Sequence, residues 1–182
     1  MRPAPPSIRR AGAADNDLLA ALGAETFADA FGADNTPADM AAYLQGAFSP
    51  AIQAAELADP ASLFLLAEIE GEPVGYARLR RGPAPTAVSG ERPIEIVRLY
   101  ARRAWIGLGV GAALMRACLR QAEQARCDTI WLDVWERNPR ARAFYARWGF
   151  VEVGTQTFVL GRDVQNDLLL QRPVRAGDGT GL

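Results

Sequence analysis

Residues 106–111 read Ile106-Gly107-Leu108-Gly109-Val110-Gly111, between a strong strand pattern at Pro93 to Ala101 and a helix pattern from about Gly109 to Arg126. Three glycines in six residues at a strand-to-helix junction restrict the fold more than any other feature of the chain. Glycine lets a backbone turn sharply and come close to a ligand, and the first N–H groups of the following helix have no acceptor within it. Such a turn suits a phosphate, with Arg102 and Arg103 beside it as counter-charge. Gly107, Gly109 and Ala112 also satisfy the dinucleotide-binding spacing, with Asp133 at about the right distance beyond. Two observations oppose that reading. Residues Arg102 to Ile106 separate the strand from the first glycine, and too little chain follows Asp133 for a doubly wound sheet. A purely structural glycine turn is the other alternative.

The flanking pattern gives an element order. A short strand at Ser7 to Arg10 precedes a helix from about Asp15 to Phe31, on which Leu19, Leu22, Phe27 and Ala30 share a face. A second helical stretch follows Asn35-Thr36-Pro37, where Thr36 caps and Pro37 takes the first helical position. Ser62 to Ile69 and Pro73 to Arg80 form a hairpin around Glu70-Gly71-Glu72, and 82–93 is a loop. After the glycine turn, Val110, Ala113, Leu114, Ala117 and Cys118 line one helix face, and Asp128 to Trp135 is a buried strand. Asn138 caps a further helix with a stripe of Ala141, Phe144, Tyr145 and Trp148, ended by Gly149. Strands at Phe150 to Leu160 and Asp167 to Arg172 complete a single mixed α/β sheet. The expected division is a flexible start at 1–6, one domain at 7–173 and a loose tail at 174–182.

Composition narrows the chemistry. The chain has 182 residues, 49% hydrophobic and 23% charged, which suits one globular domain. No apolar run nears the roughly 18 residues of a membrane span, and the start lacks a secretory apolar stretch, so a cytoplasmic protein is expected. Cys118 and Cys127 read as buried hydrophobes, and no metal site is expected. Histidine and lysine are absent, which removes Ser-His and Cys-His pairs and lysine Schiff bases. Proton transfer falls to carboxylates, tyrosine, cysteine, backbone or water. Net charge is −1, but residues 11–77 hold eleven acids and no base, while residues 98–147 hold ten arginines. This split suggests an anionic ligand held by the second half and a cationic one faced by the first; two solvated surfaces are the alternative. Nucleic acid is not an expected partner.

The segment Trp131-Leu132-Asp133-Val134-Trp135-Glu136-Arg137-Asn138-Pro139-Arg140-Ala141-Arg142-Ala143-Phe144-Tyr145-Ala146-Arg147-Trp148-Gly149-Phe150, read after the glycine turn, resembles the GNAT acetyltransferases, with their N-x-x-A-x-x-F-Y-x-x-x-G-F helix. The match covers Glu95 to Phe150. The stretch from Gly154 to Asp167 and the Trp-Leu-x-Val-Trp-Glu run are similar to the PaiA-type branch, associated with spermidine and spermine acetylation. The resemblance implies a mixed, mostly antiparallel, twisted sheet with helices on both faces and a V-shaped splay between the fourth and fifth strands. It implies acetyl-CoA in that splay as co-substrate, without a metal. Leu99, Tyr100 and Ala101 would bond the pantetheine arm; Ile106, Gly107, Leu108, Gly109, Val110 and Gly111 would hold the pyrophosphate; Asn138 would touch the cofactor. Ile106 stands where the family usually has Gln or Arg, so only its backbone can serve.

Tyr145 matches the family's proton donor to the departing thiolate, and is implied as general acid beside the cofactor; membership of the apolar stripe is the plainer reading. Glu95 is the candidate base, directly or through water, the alternative being a pair with Arg98 or exposure to solvent. Aliphatic amines ionise near pH 10, so proton removal is required somewhere. In the family the first helices wall the acceptor site, so Glu25, Asp29 and Asp34 become candidates for holding a polyamine's second ammonium. The expected activity is transfer of acetyl to a small-molecule primary amine. A protein N-terminus, an amino-acid or antibiotic amine, or a non-catalytic acetyl-CoA sensor are the alternatives, and a homodimer is left open.

Overall fold

A computed structural model describes residues 4–177. The elements run β1 (Ser7–Arg10), α1 (Asn16–Phe31), α2 (Pro37–Ala47), α3 (Pro50–Ala58), β2 (Ser62–Ile69), β3 (Glu72–Arg81), β4 (Pro93–Ala101), α4 (Val110–Gln124), β5 (Thr129–Trp135), α5 (Pro139–Arg147), β6 (Val151–Leu160) and β7 (Asp163–Pro173). They build one seven-stranded sheet in the order β1-β2-β3-β4-β5-β7-β6. Every neighbouring pair is antiparallel except β4 and β5. The mixed α/β sheet and its helices agree with the expected fold class.

Local chemistry sets the boundaries. Glu70 and Gly71 both take positive φ, 52° and 82°, and close the β2–β3 hairpin as a two-residue turn. The second helical stretch is two helices, because Pro50 cannot continue α2 and Ser49 accepts from Ile52 N–H to cap α3. Strand β7 starts at Asp163, four residues before the expected Asp167. The polar run 162–166 carries no apolar alternation, yet its backbone pairs with the end of β6 around Gly161. Of the end segments, 1–3 and 178–182 lie outside the described residues. Val174 N–H donates to Asp128 O at 2.9 Å, and Gly177 N–H donates to Glu123 Oε1 at 2.9 Å.

Helices α4 and α5 bury the main core against one sheet face, where Ile94, Ile96, Leu114, Cys118, Ile130, Leu132, Val134 and Tyr145 interlock. Burial of this kind contributes about 25 cal/mol per Å² of apolar surface. The opposite face carries α1 to α3, packed through Leu19, Leu22, Phe64 and Tyr76 and, beside them, Phe27, Met40, Phe48 and Leu160. A bulge in β4 governs what reaches each face. Arg98 pairs with Arg78 and Ile96 with Leu79, leaving Val97 extra, so Ile96 and Leu99 both point to the α4 side while Glu95, Arg98 and Tyr100 point to the α1–α3 side. Among the described residues no helix is long and apolar enough to cross a membrane.

Candidate active site

Strands β4 and β5 pair only at Pro93 to Glu95 with Thr129 to Trp131. Beyond that rung β4 stays on β3 and β5 stays on β7, so the two part and the sheet opens into a V. Leu99, Tyr100 and Ala101 lie along the open edge of β4. Leu99 and Ala101 pack toward α4, and Tyr100 lies against Phe27 and Tyr76. Burial lifts the Tyr100 phenol well above its ordinary pKa.

The glycine turn sits at the mouth of this opening. Gly107 and Gly109 take φ of 83° and 92°, with open space where a side chain would project. Ile106 N–H donates to Arg103 O and Leu108 N–H to Trp105 O, both at 3.3 Å, so these two amides of the expected six are used within the turn. Among the described residues, the amides of Gly107, Gly109, Val110 and Gly111 have no acceptor in the chain. Four free donors at the start of a 15-residue helix, in open space, fit a diphosphate. Asn138 Oδ1 caps α5 by accepting from Ala141 N–H at 3.0 Å, which leaves its Nδ2 as a donor.

Tyr145 is packed between Phe144 and Phe150 and is 8% exposed. Its hydroxyl has no hydrogen-bond partner among the described residues. Burial, and then the neighbouring Cys118 and Asp133, push its pKa up, so the phenol keeps its proton. Cys118 is itself pushed up to about 12 by burial and is an inert thiol.

Glu95 lies at the last rung before the strands part, opposite Trp131, and lines a cavity of about 230 Å³ with Arg80, Arg81 and Pro83. It bonds Arg80, not Arg98, through contacts of 2.7 and 3.1 Å. Burial raises its pKa, and the Arg80 guanidinium opposes that rise. Arg98 belongs elsewhere. Glu56 on α3 bridges it and Arg78 at 2.6 Å each, while Arg98 stacks on the Phe48 ring at 4.9 Å.

The three acids expected to hold the acceptor lie on α1 and in the turn after it. Glu25 is committed to Arg102 at 3.2 Å, and Arg102 also binds Glu72, while Asp29 and Asp34 are exposed. The charge split is therefore partly internal: Asp15, Glu25, Glu56, Glu68 and Glu72 of the acidic segment each pair with an arginine from outside it. Two further acids lie on the α1–α3 face, the half-buried Asp133 on β5 and the buried Asp167 on β7. Asp133 accepts from Gln156 Nε2 at 2.5 Å, and burial raises its pKa. Asp167 is 7% exposed, and its Oδ1 is buried without a partner. Burial, reinforced by Asp133 and Glu136, holds its pKa up at about 7. A lone acid inside the apolar strand Trp131 to Trp135, and another just before Leu168-Leu169-Leu170, were the signals in the sequence. Among the described residues no group of three His, Cys, Asp or Glu is placed to hold a metal ion.

Such a splayed sheet with an amide-lined turn at its mouth defines an acyl-CoA-type transferase fold. Residues 25–150 match the family model of the acetyltransferase (GNAT) family. The chain is 36% identical over 152 residues to an uncharacterized N-acetyltransferase of Lactobacillus delbrueckii subsp. lactis, covering 84% of this chain and 88% of that one. It is 37% identical over 158 residues to an uncharacterized N-acetyltransferase of Mycobacterium tuberculosis, covering 87% and 97%. Its fold is similar to the PaiA N-acetyltransferase of Thermoplasma acidophilum, solved with coenzyme A (TM-score 0.75, 16% identity, 93% and 99% covered). It is also similar to the ribosomal-protein-S18-alanine N-acetyltransferase of Escherichia coli (TM-score 0.65, 18% identity, 97% and 99% covered). The chain belongs to the GNAT family and is an acetyl-CoA-dependent N-acetyltransferase.

Proposed function

We propose that the enzyme acetylates a primary amine of a small cationic molecule, with polyamines the leading class. The observation that carries this reading is the pairing of one open sheet edge with two environments. Free amides stand at its mouth, and a buried and a half-buried carboxylate, Asp167 and Asp133, lie on the face beyond it. Acetyl-CoA supplies an activated acyl thioester. The amides of Gly107, Gly109, Val110 and Gly111 would hold its diphosphate, with Ile106 and Leu108 shaping the turn. The edge of Leu99, Tyr100 and Ala101 would pair with the amide-bearing arm as an added strand, and Asn138 Nδ2 would donate to it.

Tyr145, protonated and without a competing partner, serves as the general acid that returns a proton to the departing sulfur. Glu95, half-buried and near the splay, serves as the base for the amine, directly or through water. The Arg80 contact opposes the rise that burial imposes on its pKa, and so favours the carboxylate form that can accept a proton.

Thiol release from acetyl-CoA, measured across polyamines, monoamines, amino acids and peptides with free N-termini, tests this reading. Turnover highest with polyamines is expected. Turnover confined to peptides would transfer the acceptor to a protein N-terminus, and thiol release with none of the panel would sink the reading.

A further inference from the structure

The acids of the α1–α3 face lie in a definite arrangement. Asp167 pairs in register with Trp135 on one side and Gln156 on the other, and Asp133 lies two residues down β5 on the same face. Diagonal neighbours of this kind stand about 7–8 Å apart at their Cα atoms. Gln156 satisfies Asp133, but no donor among the described residues reaches Asp167 Oδ1. A buried carboxylate oxygen without a partner costs stability, and it is retained beside a second carboxylate and Glu136.

The surroundings select a cation. Trp135 meets Phe31 of α1 at 6.0 Å, and Tyr43 of α2 meets Phe158 of β6 at 5.6 Å, so aromatic rings rim this face. The Tyr43 phenol is influenced by both Asp133 and Asp167. Rings and carboxylates together suit an alkylammonium group. The nearby cation Arg98 is held through both of its terminal nitrogens by Glu56, so it does not fill the place.

We propose that Asp167 and Asp133 form an ammonium subsite that takes the second, non-reacting positive charge of a diamine acceptor. The inference rests on the acetyltransferase reading above and places its specificity on the sheet instead of on α1. The subsite spans β5 and β7, so Asp133 stands on the edge strand of the splay and Asp167 about 5 Å to its side. An acceptor with a charged far end reaches it, and a monoamine of equal length does not use it.

The test compares 1,5-diaminopentane with n-pentylamine, on the full chain saturated with CoA, by calorimetry and separately by thiol release from acetyl-CoA. Wild type is expected to prefer the diamine about tenfold or more in affinity. In Asp167→Asn the preference should fall to within about twofold. In the charge-matched control Asp17→Asn, an exposed acid of α1, it should persist. Because the Asp167 oxygen is unsatisfied, Asp167→Asn should melt no earlier than wild type, so loss of folding does not explain the result. A diamine preference that survives in Asp167→Asn, or is absent from wild type, overturns the subsite. A preference seen in calorimetry without thiol release would uphold the subsite and overturn the proposed acceptor class.

Discussion

Gln156 on β6 donates to Asp133 on β5 at 2.5 Å, spanning the intervening strand β7 that carries Asp167. This bond lowers the Asp133 pKa against the larger effect of burial. Replacing Gln156 by Leu leaves the carboxylate buried without its donor and raises that pKa further. The loss of stability should be about 1–3 kcal/mol at pH 8, where Asp133 must ionise, and smaller at pH 5. Urea midpoints at the two pH values measure it. An equal loss at both would assign Gln156 to packing alone.

The parts legible in the sequence were those written in local chemistry. The glycine turn, the Asn138 cap and the Glu70-Gly71 hairpin each depend on a few adjacent residues, and each stands where the pattern placed it. What escaped was non-local. Nothing in the spacing of Glu56, Arg78 and Arg98 shows that one carboxylate bridges both guanidiniums, because the contact requires α3 to fold over β3 and β4. The isolation of Asp167 escaped for a related reason, although its place just before Leu168-Leu169-Leu170 is a local signal. Its isolation is defined by what fails to reach it, and that depends on which faces of β5, β6 and β7 coincide. Glu25, Asp29 and Asp34 are acceptor candidates through the family resemblance and the absence of positive charge in residues 11–77, and only the fold shows that Glu25 pairs with Arg102.

Asp167 gives the folded protein a pH dependence of definite sign. An aspartate in an unfolded chain ionises near pH 4, whereas burial and the facing charges of Asp133 and Glu136 hold this one at about 7. Between those values the folded chain keeps a proton that the unfolded chain has lost. Stability contributed by this group therefore falls as pH rises from about 4 to about 7, and levels off above. Asp167→Asn should flatten this slope and stabilise the protein at pH 8 by about 1–3 kcal/mol. Thermal melts from pH 4 to 9, with and without the substitution, measure the difference. A slope unchanged by the substitution would show that Asp167 ionises normally.

Tyr145→Phe removes a hydroxyl that has no partner in the fold, so stability should change by less than about 1 kcal/mol. A general acid contributes about 10²–10⁴-fold, and kcat should fall within that range. Affinity for acetyl-CoA should stay within about threefold of wild type, since packing of the ring is kept. Steady-state kinetics alongside direct titration separate the two effects. A parallel loss of kcat and binding would make the residue part of the cofactor's packing surface.

Gly109 holds φ at 92° in open space, so Gly109→Ala meets no atom and its cost comes from the backbone alone. That cost should be about 1–2 kcal/mol. Acetyl-CoA affinity should fall more than this strain accounts for, by about tenfold or more, because the new methyl group projects where the diphosphate would meet the free amides. Calorimetry with CoA and with dephosphorylated pantetheine distinguishes the causes. The nucleotide-bearing ligand should lose affinity and the pantetheine should not.

Glu56 neutralises two guanidiniums, those of Arg78 and Arg98, beneath α3. Glu56→Ala leaves both cations poorly solvated and without a counter-charge, which should cost about 3–5 kcal/mol. Glu56→Gln keeps a hydrogen-bond acceptor and the side-chain volume, so its cost should be smaller. It also releases Arg98, whose charge already influences Tyr43 on the same face as Asp133 and Asp167. A guanidinium freed there competes with an incoming ammonium for those carboxylates. The folded Glu56→Gln enzyme should therefore show a raised KM for 1,5-diaminopentane and a KM for acetyl-CoA close to wild type. Equal rises in both KM values would mean that the bridge supports the sheet as a whole and not the acceptor side of it.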